Sequence, residues 1–332
     1  MKSSLSTVIA ASALALLSAC GGGGGDSAPA PSQKVAITSA NQNNVVRAGV
    51  NGALAVSLTQ GNFGSTPAAA AAARTRALDI VLQRALASVQ AQRKGIASAS
   101  VRPAATSGDV TNCGISGTLA STFDDKDGNG VISKGDVLTA TFAQCKESAS
   151  LAINGVLSIT VTSNPTDTQL AASANFQNIV VTFEQLASTI SGTLAIGVVD
   201  NATTSTSTLS AGAGGLNVSL VSSTWNESVS YASGFVIATS EVTATQVDSL
   251  SLSGTLTAQS LGGTLSIATT LPLTQGPSDE YPSAGQVVIS GASGSAVRVT
   301  AISDTQVSVE LDANGDGTYE SSQTVAWGTL VP

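Results

Sequence analysis

The chain has 332 residues, enough for one large or two ordinary domains, and is 42% hydrophobic, 10% charged and 3% aromatic, so its core must be built mostly from Val, Leu, Ile and Ala. Histidine is absent, which excludes Ser-His-Asp and Cys-His nucleophile activation and His-ligated metal centres. The formal net charge is −8, and from residue 148 onward thirteen acidic side chains face one basic group, Arg298, so a polyanion is repelled and no nucleic acid is expected as a partner.

Residues 1–19 carry one early positive charge at Lys2, an apolar stretch from Val8 to Leu17 and small residues before Cys20, the anatomy of a signal peptide. The stretch is too short to span a membrane securely. Leu17-Ser18-Ala19-Cys20 resembles the lipobox of bacterial lipoproteins. The resemblance implies cleavage before Cys20, lipidation of its sulfur and acylation of the new N-terminus. One acyl chain binds a membrane marginally, at about 0.8 kcal/mol per buried CH₂, whereas two or three hold stably. An ordinary signal peptide with a chance cysteine is the alternative; the run Gly21 to Gly25 and the Ser/Ala/Pro tail favour a tether. Residues 20–33 are then a lipid-anchored linker whose rms reach is on the order of 20 Å. An Asp after the lipidated cysteine would resemble an inner-membrane retention signal, so Gly21 implies the outer membrane of a Gram-negative bacterium.

Residues 34–110 form an N-terminal region with a strand-like piece at 53–58 and a helix over about 67–94. Thr66 can cap that helix and Pro67 suits its first turn. Leu78, Val81, Leu82, Leu86 and Val89 share one stripe while Arg76, Arg84 and Lys94 point elsewhere, as in a helix packed on a sheet. A basic amphipathic helix on an anionic membrane is the alternative, but Arg74 and Arg93 lie near the stripe and bulky aromatics are missing. Residues 97–110, with Pro103 and several Ser and Ala, have the composition of a linker.

Over 111–332 the period is two. Leu157, Ile159 and Val161 alternate with Ser and Thr, as do Leu250, Leu252 and Leu256, then Val297, Val299 and Ala301, then Val307, Val309 and Leu311. The expected fold class is mainly β: an antiparallel meander, as a curved sheet, sandwich or barrel, with one N-terminal α-helix packed on it. Ser-Gly-Thr-Leu recurs at Ser116, Ser191 and Ser253, but the unequal intervals of 75 and 62 residues exclude a solenoid.

Two acidic loops interrupt the alternation. Residues 125–136 read D-K-D-G-N-G-V-I-S-K-G-D and resemble EF-hand calcium loops, with Asp125, Asp127 and Asn129 at positions one, three and five, Gly130 at six and Asp136 at twelve. Ca²⁺ needs six to eight oxygens. The resemblance implies ligation by those three side chains, the Val131 carbonyl, Ser133 directly or through water, and Asp136. The flanks, Ile115 to Phe123 and Val137 to Phe142, alternate like strands, so the likeness covers the loop alone. Asp replaces the usual Glu at twelve, and the implied Kd is weak, about 10⁻⁴ to 10⁻³ M. A plain polar hairpin turn is the competing reading. Residues 312–323 give a less complete site, with oxygens from Asp312, Asn314 and Asp316, the Thr318 carbonyl at seven and Gln323 at twelve; Glu320 can fold in as the missing carboxylate, and a plain turn fits as well. With Cys20 lipidated, Cys113 and Cys145 flank the first loop and are expected to form a disulfide, two buried thiols being the alternative.

Asp124, Asp125, Asp279 and Glu280 could suggest a carboxylate acid/base pair, but adjacent turn acids are ordinarily solvated. The triplets at Asn201, Asn217 and Asn226 match glycosylation sequons, which a bacterial Ser/Thr-rich chain contains by chance. The sequence therefore points to a non-catalytic cell-envelope lipoprotein with a structural, binding or adhesion role. It would bind Ca²⁺ at one or two hairpin loops, meet the membrane through its anchor and engage an unidentified protein or surface ligand. A carboxylate-dependent envelope hydrolase and a hydrophobic-ligand carrier are the alternatives.

Overall fold

The computed structural model describes residues 33–51, 81, 106–166, 168–223 and 226–330. The strand-like piece at 53–58 and the helix at 67–94 lie outside the described residues except for Val81, which is helical, fully buried and part of the core. Met1–Pro31 and Ser32–Pro332 are separate units, and every described element belongs to the second.

A short helix, α1 (Gln42–Val46), runs into a π-turn at Arg47–Asn51. Fifteen strands follow: β1 (Thr106–Asn112), β2 (Ser116–Asp124), β3 (Val137–Lys146), β4 (Leu151–Val161), β5 (Gln169–Phe183), β6 (Leu186–Asp200), β7 (Thr204–Val221) and β8 (Asn226–Tyr231). The remainder are β9 (Val236–Val242), β10 (Val247–Ala258), β11 (Gly263–Gln275), β12 (Ala284–Ser290), β13 (Ala296–Ala301), β14 (Gln306–Asp312) and β15 (Ser321–Ala326). All belong to one antiparallel sheet in which sequence neighbours pair. β8 and β9 together occupy one place, pairing with the two halves of β7 and with β10. The sheet does not close among the described residues: β1 and β15 are its edges. Strand β1 starts at Thr106, inside the stretch whose Ser/Ala/Pro composition suggested a linker; pairing with β2 over seven residues overrides that weak local signal.

Alternation explains the layering. Inward residues such as Leu157, Ile190, Leu256, Ile289, Val299 and Val309 are at most 1% exposed, and their Ser and Thr neighbours face out. The segment 33–51 lies on this inner face as a strap, contributing Val35, Ile37, Val45, Val46 and Val50 to the core. It enters beside the start of β11, where the Val35 N–H donates to the Thr264 carbonyl at 3.0 Å and the Thr264 N–H to the Gln33 carbonyl at 2.9 Å.

The three Ser-Gly-Thr-Leu copies have a structural cause. Each glycine has positive φ (Gly117 +78°, Gly192 +109°, Gly254 +134°); Gly117 and Gly192 sit where the ladder slips register, and Gly254 sits just past such a slip, where β10 changes partner from β9 to β8. Each following leucine, Leu119, Leu194 and Leu256, returns to the buried face. A Cβ on Gly192 would stand 3.1 Å from the Leu216 Cα, and one on Gly254 would stand 2.8 Å from both Cα and Cδ2 of Phe235. Similar slips occur at Asn154/Val156 in β4 and Thr269/Leu271 in β11. A bulge bends its strand and raises local twist, so this row of bulges creases the long hairpins across the sheet. Between β8 and β9 the crease tucks Phe235 inward against Tyr231, ring centroids 4.6 Å apart, and burial pushes the Tyr231 hydroxyl pKa far up.

Candidate metal sites

The first acidic loop joins β2 to β3, so the hairpin flanks are strands, as their alternation predicts. Cys113 and Cys145 form a disulfide that ties the β1–β2 turn to the end of β3, at the other end of this hairpin from the loop. With a sequence separation of 32, it removes loop entropy from the unfolded chain equivalent to roughly 3 to 4 kcal/mol.

Within the loop, backbone N–H groups converge on carboxylates. Asp125 accepts from Gly128 and Gly130, both at 2.7 Å. Asp127 accepts from the Asn129 N–H at 3.2 Å, and Asn129 Oδ1 from the Val131 N–H at 2.7 Å. Asp136, fully buried, accepts from the Lys126 N–H at 2.9 Å and the Ser133 N–H at 2.7 Å. The Ser133 hydroxyl lies between Asp127 (2.9 Å) and Asp136 (3.0 Å), and chiefly because it donates there, the Asp127 carboxyl is held below its ordinary value. One oxygen each from Asp125, Asp127 and Asp136 lie within 4.8 Å of one another. Lys126 turns its ammonium away to pair with Asp124.

The second loop repeats the backbone N–H bonds to positions one, three and five. Asp312 accepts from Gly315 (2.7 Å) and Gly317 (2.9 Å), Asn314 from the Asp316 N–H (2.8 Å), and Asp316 from the Thr318 N–H (2.7 Å). The Asp316 carboxyl is thereby held below its ordinary value, the Thr318 N–H being the main cause. The difference lies at the closing acid. Ala313, like Lys126 at position two, donates its N–H to a carboxylate, but the acceptor is Glu320 at position nine, at 3.0 Å. Gln323, at position twelve, already belongs to β15 and donates from Nε2 to Asn43 Oδ1 of α1 at 2.8 Å. Asp312, Asp316 and Glu320 place carboxylate oxygens within 4.8 Å of one another. Of the positions read from sequence, Glu320 joins the cluster and Gln323 does not.

Tyr319 anchors this loop to the outer face. Its ring lies 4.0 Å from the Arg298 guanidinium carbon, and Arg298 grips Glu310 bidentately at 2.7 and 2.8 Å, holding the Glu310 carboxyl below its ordinary value. Sequence reading singled out Arg298 as the one basic group of this half but did not place it with Tyr319 at the loop. The available signal was a lone cation on a strand, Arg298 on β13, in an otherwise acidic half.

The two loops lie on opposite rims, because β2 and β14, which lead into them, run in opposite directions through the ladder. Elsewhere, Asp279 is engaged by its own turn, accepting from the Gly276 N–H at 2.8 Å and the Ser283 hydroxyl at 2.7 Å. Asp124 pairs with Lys126. Comparison with family models, curated proteins and solved structures gave no match to this chain.

Proposed function

We propose that this protein is a lipid-anchored envelope lipoprotein whose β body binds Ca²⁺ at two hairpin loops and acts by binding or by structure, without catalysis. The observation that carries the metal reading is the shared plan of the two loops: three carboxylates within 4.8 Å in each, with backbone N–H groups orienting the oxygens. Two nearby cations are committed elsewhere, Lys126 to Asp124 and Arg298 to Glu310. Clustered anions held by backbone geometry favour a hard cation with oxygen ligands, and three carboxylates with carbonyls, Ser133 and water supply the donor set Ca²⁺ requires. Weak affinity follows from the mixed charge count and suits an extracytoplasmic compartment, where the Cys113–Cys145 disulfide also belongs. The anchor reading rests on Leu17-Ser18-Ala19-Cys20 and the glycine run behind it.

The deciding experiment is calorimetric titration of Ca²⁺ into the metal-stripped chain lacking residues 1–20, beside an Asp125→Ala/Asp127→Ala variant. Heat that shrinks to one site in the variant supports the reading. No heat up to tens of millimolar Ca²⁺ reduces both loops to turns. The anchor is read separately: Cys20→Ala should abolish labelling by radioactive palmitate and release the protein from the membrane fraction.

A further inference from the structure

The turn between β1 and β2 lies against the end of β3, where the disulfide is. The Ile115 N–H donates to the Lys146 carbonyl at 2.8 Å, and a Cβ on Gly114 would stand 2.4 Å from the Glu147 carbonyl oxygen, so the two backbones touch. Glu147 is fixed from the other side as well, its N–H donating to the Leu151 carbonyl at 2.9 Å. Its carboxylate is held at the bridge: Oε2 accepts from the Gly114 N–H at 3.4 Å, and Oε1 stands 3.3 Å from Sγ of Cys145. A disulfide sulfur carries no proton, so the second contact is not a hydrogen bond while the bridge is intact. The two cysteines also differ in access. Cys145 is fully buried, whereas Cys113 keeps 8% of its surface open.

We infer that Cys113 is the sulfur through which this bridge exchanges with an outside thiol, and that Glu147 slows the exchange by opposing the thiolate that must leave at Cys145. Opening begins when the thiolate of an external thiol attacks Sγ of Cys113, the cysteine with open surface. A new S–S bond forms to Cys113, the Cys113–Cys145 bond breaks, and its electron pair leaves on Cys145. A second external thiolate then releases Cys113, so the bridge is reduced to two thiols, which take up protons from water, and the two outside thiols are oxidised to a disulfide. The first step sends negative charge to the buried sulfur, where it meets the Glu147 carboxylate, and like charges so close disfavour each other. A poorer leaving thiolate makes a slower exchange. Once protonated, Cys145 presents its S–H to Oε1 as a donor, and a protonated thiol is a weak nucleophile, so the bridge also closes slowly from the mixed disulfide on Cys113.

The test uses the full chain carrying Cys20→Ala, in which Cys113 and Cys145 are the only cysteines, with glutathione as the outside thiol. Intermediates are quenched with N-ethylmaleimide and located by peptide mass spectrometry. Glutathione should be found on Cys113 and maleimide on Cys145, at a rate that rises in proportion to the glutathione concentration. Glu147→Gln should speed the opening by about three- to tenfold, with the same sulfur attacked and amide exchange over 113–117 unchanged. Glu147→Asp, which keeps the charge, should stay near the parent rate. Glutathione on Cys145 overturns the inference for Cys113, as does a rate that no longer rises with glutathione because the bridge opens only in the unfolded chain. A Glu147→Gln rate equal to the parent's overturns the role of Glu147.

Discussion

Asp136 is the residue on which the first loop closes, and its replacement separates structure from metal binding. The carboxylate is fully buried and accepts from Lys126 N–H, Ser133 N–H and the Ser133 hydroxyl. In Asp136→Asn one oxygen becomes an NH₂ group facing an N–H, so one backbone donor loses its acceptor. A stranded donor of this kind costs about 1 to 3 kcal/mol. Asp136→Ala strands two, and its cost should be about twice as large, roughly 2 to 6 kcal/mol. Both costs should appear in chelator, as a lower urea midpoint with unchanged slope followed by the fluorescence of the buried Trp327. Adding Ca²⁺ should then stabilise the parent more than either variant, since ligand linkage adds stability only where the site is intact. If Asp136→Asn unfolds at the parent's midpoint in chelator, the backbone bonds to Asp136 do not hold the loop and the account of its geometry fails.

Gly254→Ala tests the crease. At φ +134° an L side chain is strained by about 1 to 3 kcal/mol, and the added Cβ would also meet Phe235 at 2.8 Å, so the variant should unfold at a clearly lower temperature and lose near-UV dichroism from the Tyr231–Phe235 pair. A parent-like melt would mean that the bulge relaxes freely. For pH, the Asp127 and Asp316 carboxyls sit below their ordinary value of 3.8, so the folded state binds protons more weakly there than the unfolded chain. The stability this contributes is fully present above 3.8 and is lost as pH falls through the lower folded values. Carboxyl NMR titration of Ser133→Ala should find Asp127 moved up toward 3.8, with Asp316 unmoved.

The sequence carries the sheet plainly because alternation is written at every strand: a Val, Leu or Ile facing inward is two residues from the next, and the ladder needs nothing longer-range to declare itself. The disulfide was equally legible, Cys113 and Cys145 being the pair left on the reading that Cys20 is lipidated. The crease was written too, as Ser-Gly-Thr-Leu, but in a form that interval counting misses. The slips fall in hairpins of different length, so the copies fall at unequal spacing and have no solenoid meaning. The second loop was half legible. A twelve-position template looks for its last ligand at Gln323, while the strand β15 has already begun at Ser321 and carries Gln323 to Asn43, leaving Glu320 to close the loop three positions early. Least visible was β1, whose Gly108, Asp109 and Asn112 have little strand propensity of their own and pair because β2 offers a free edge.

The place where the strap joins the sheet bears on how the body carries load. A pull on the chain ahead of Gln33 arrives at Thr264, on β11, which has β10 on one side and β12 on the other. Force applied at an edge strand would unzip a hairpin one bond pair at a time. Applied here, it must first strip the strap from an interior strand and draw Val35 and Ile37 out of the core, so the strap would let go before the sheet tears.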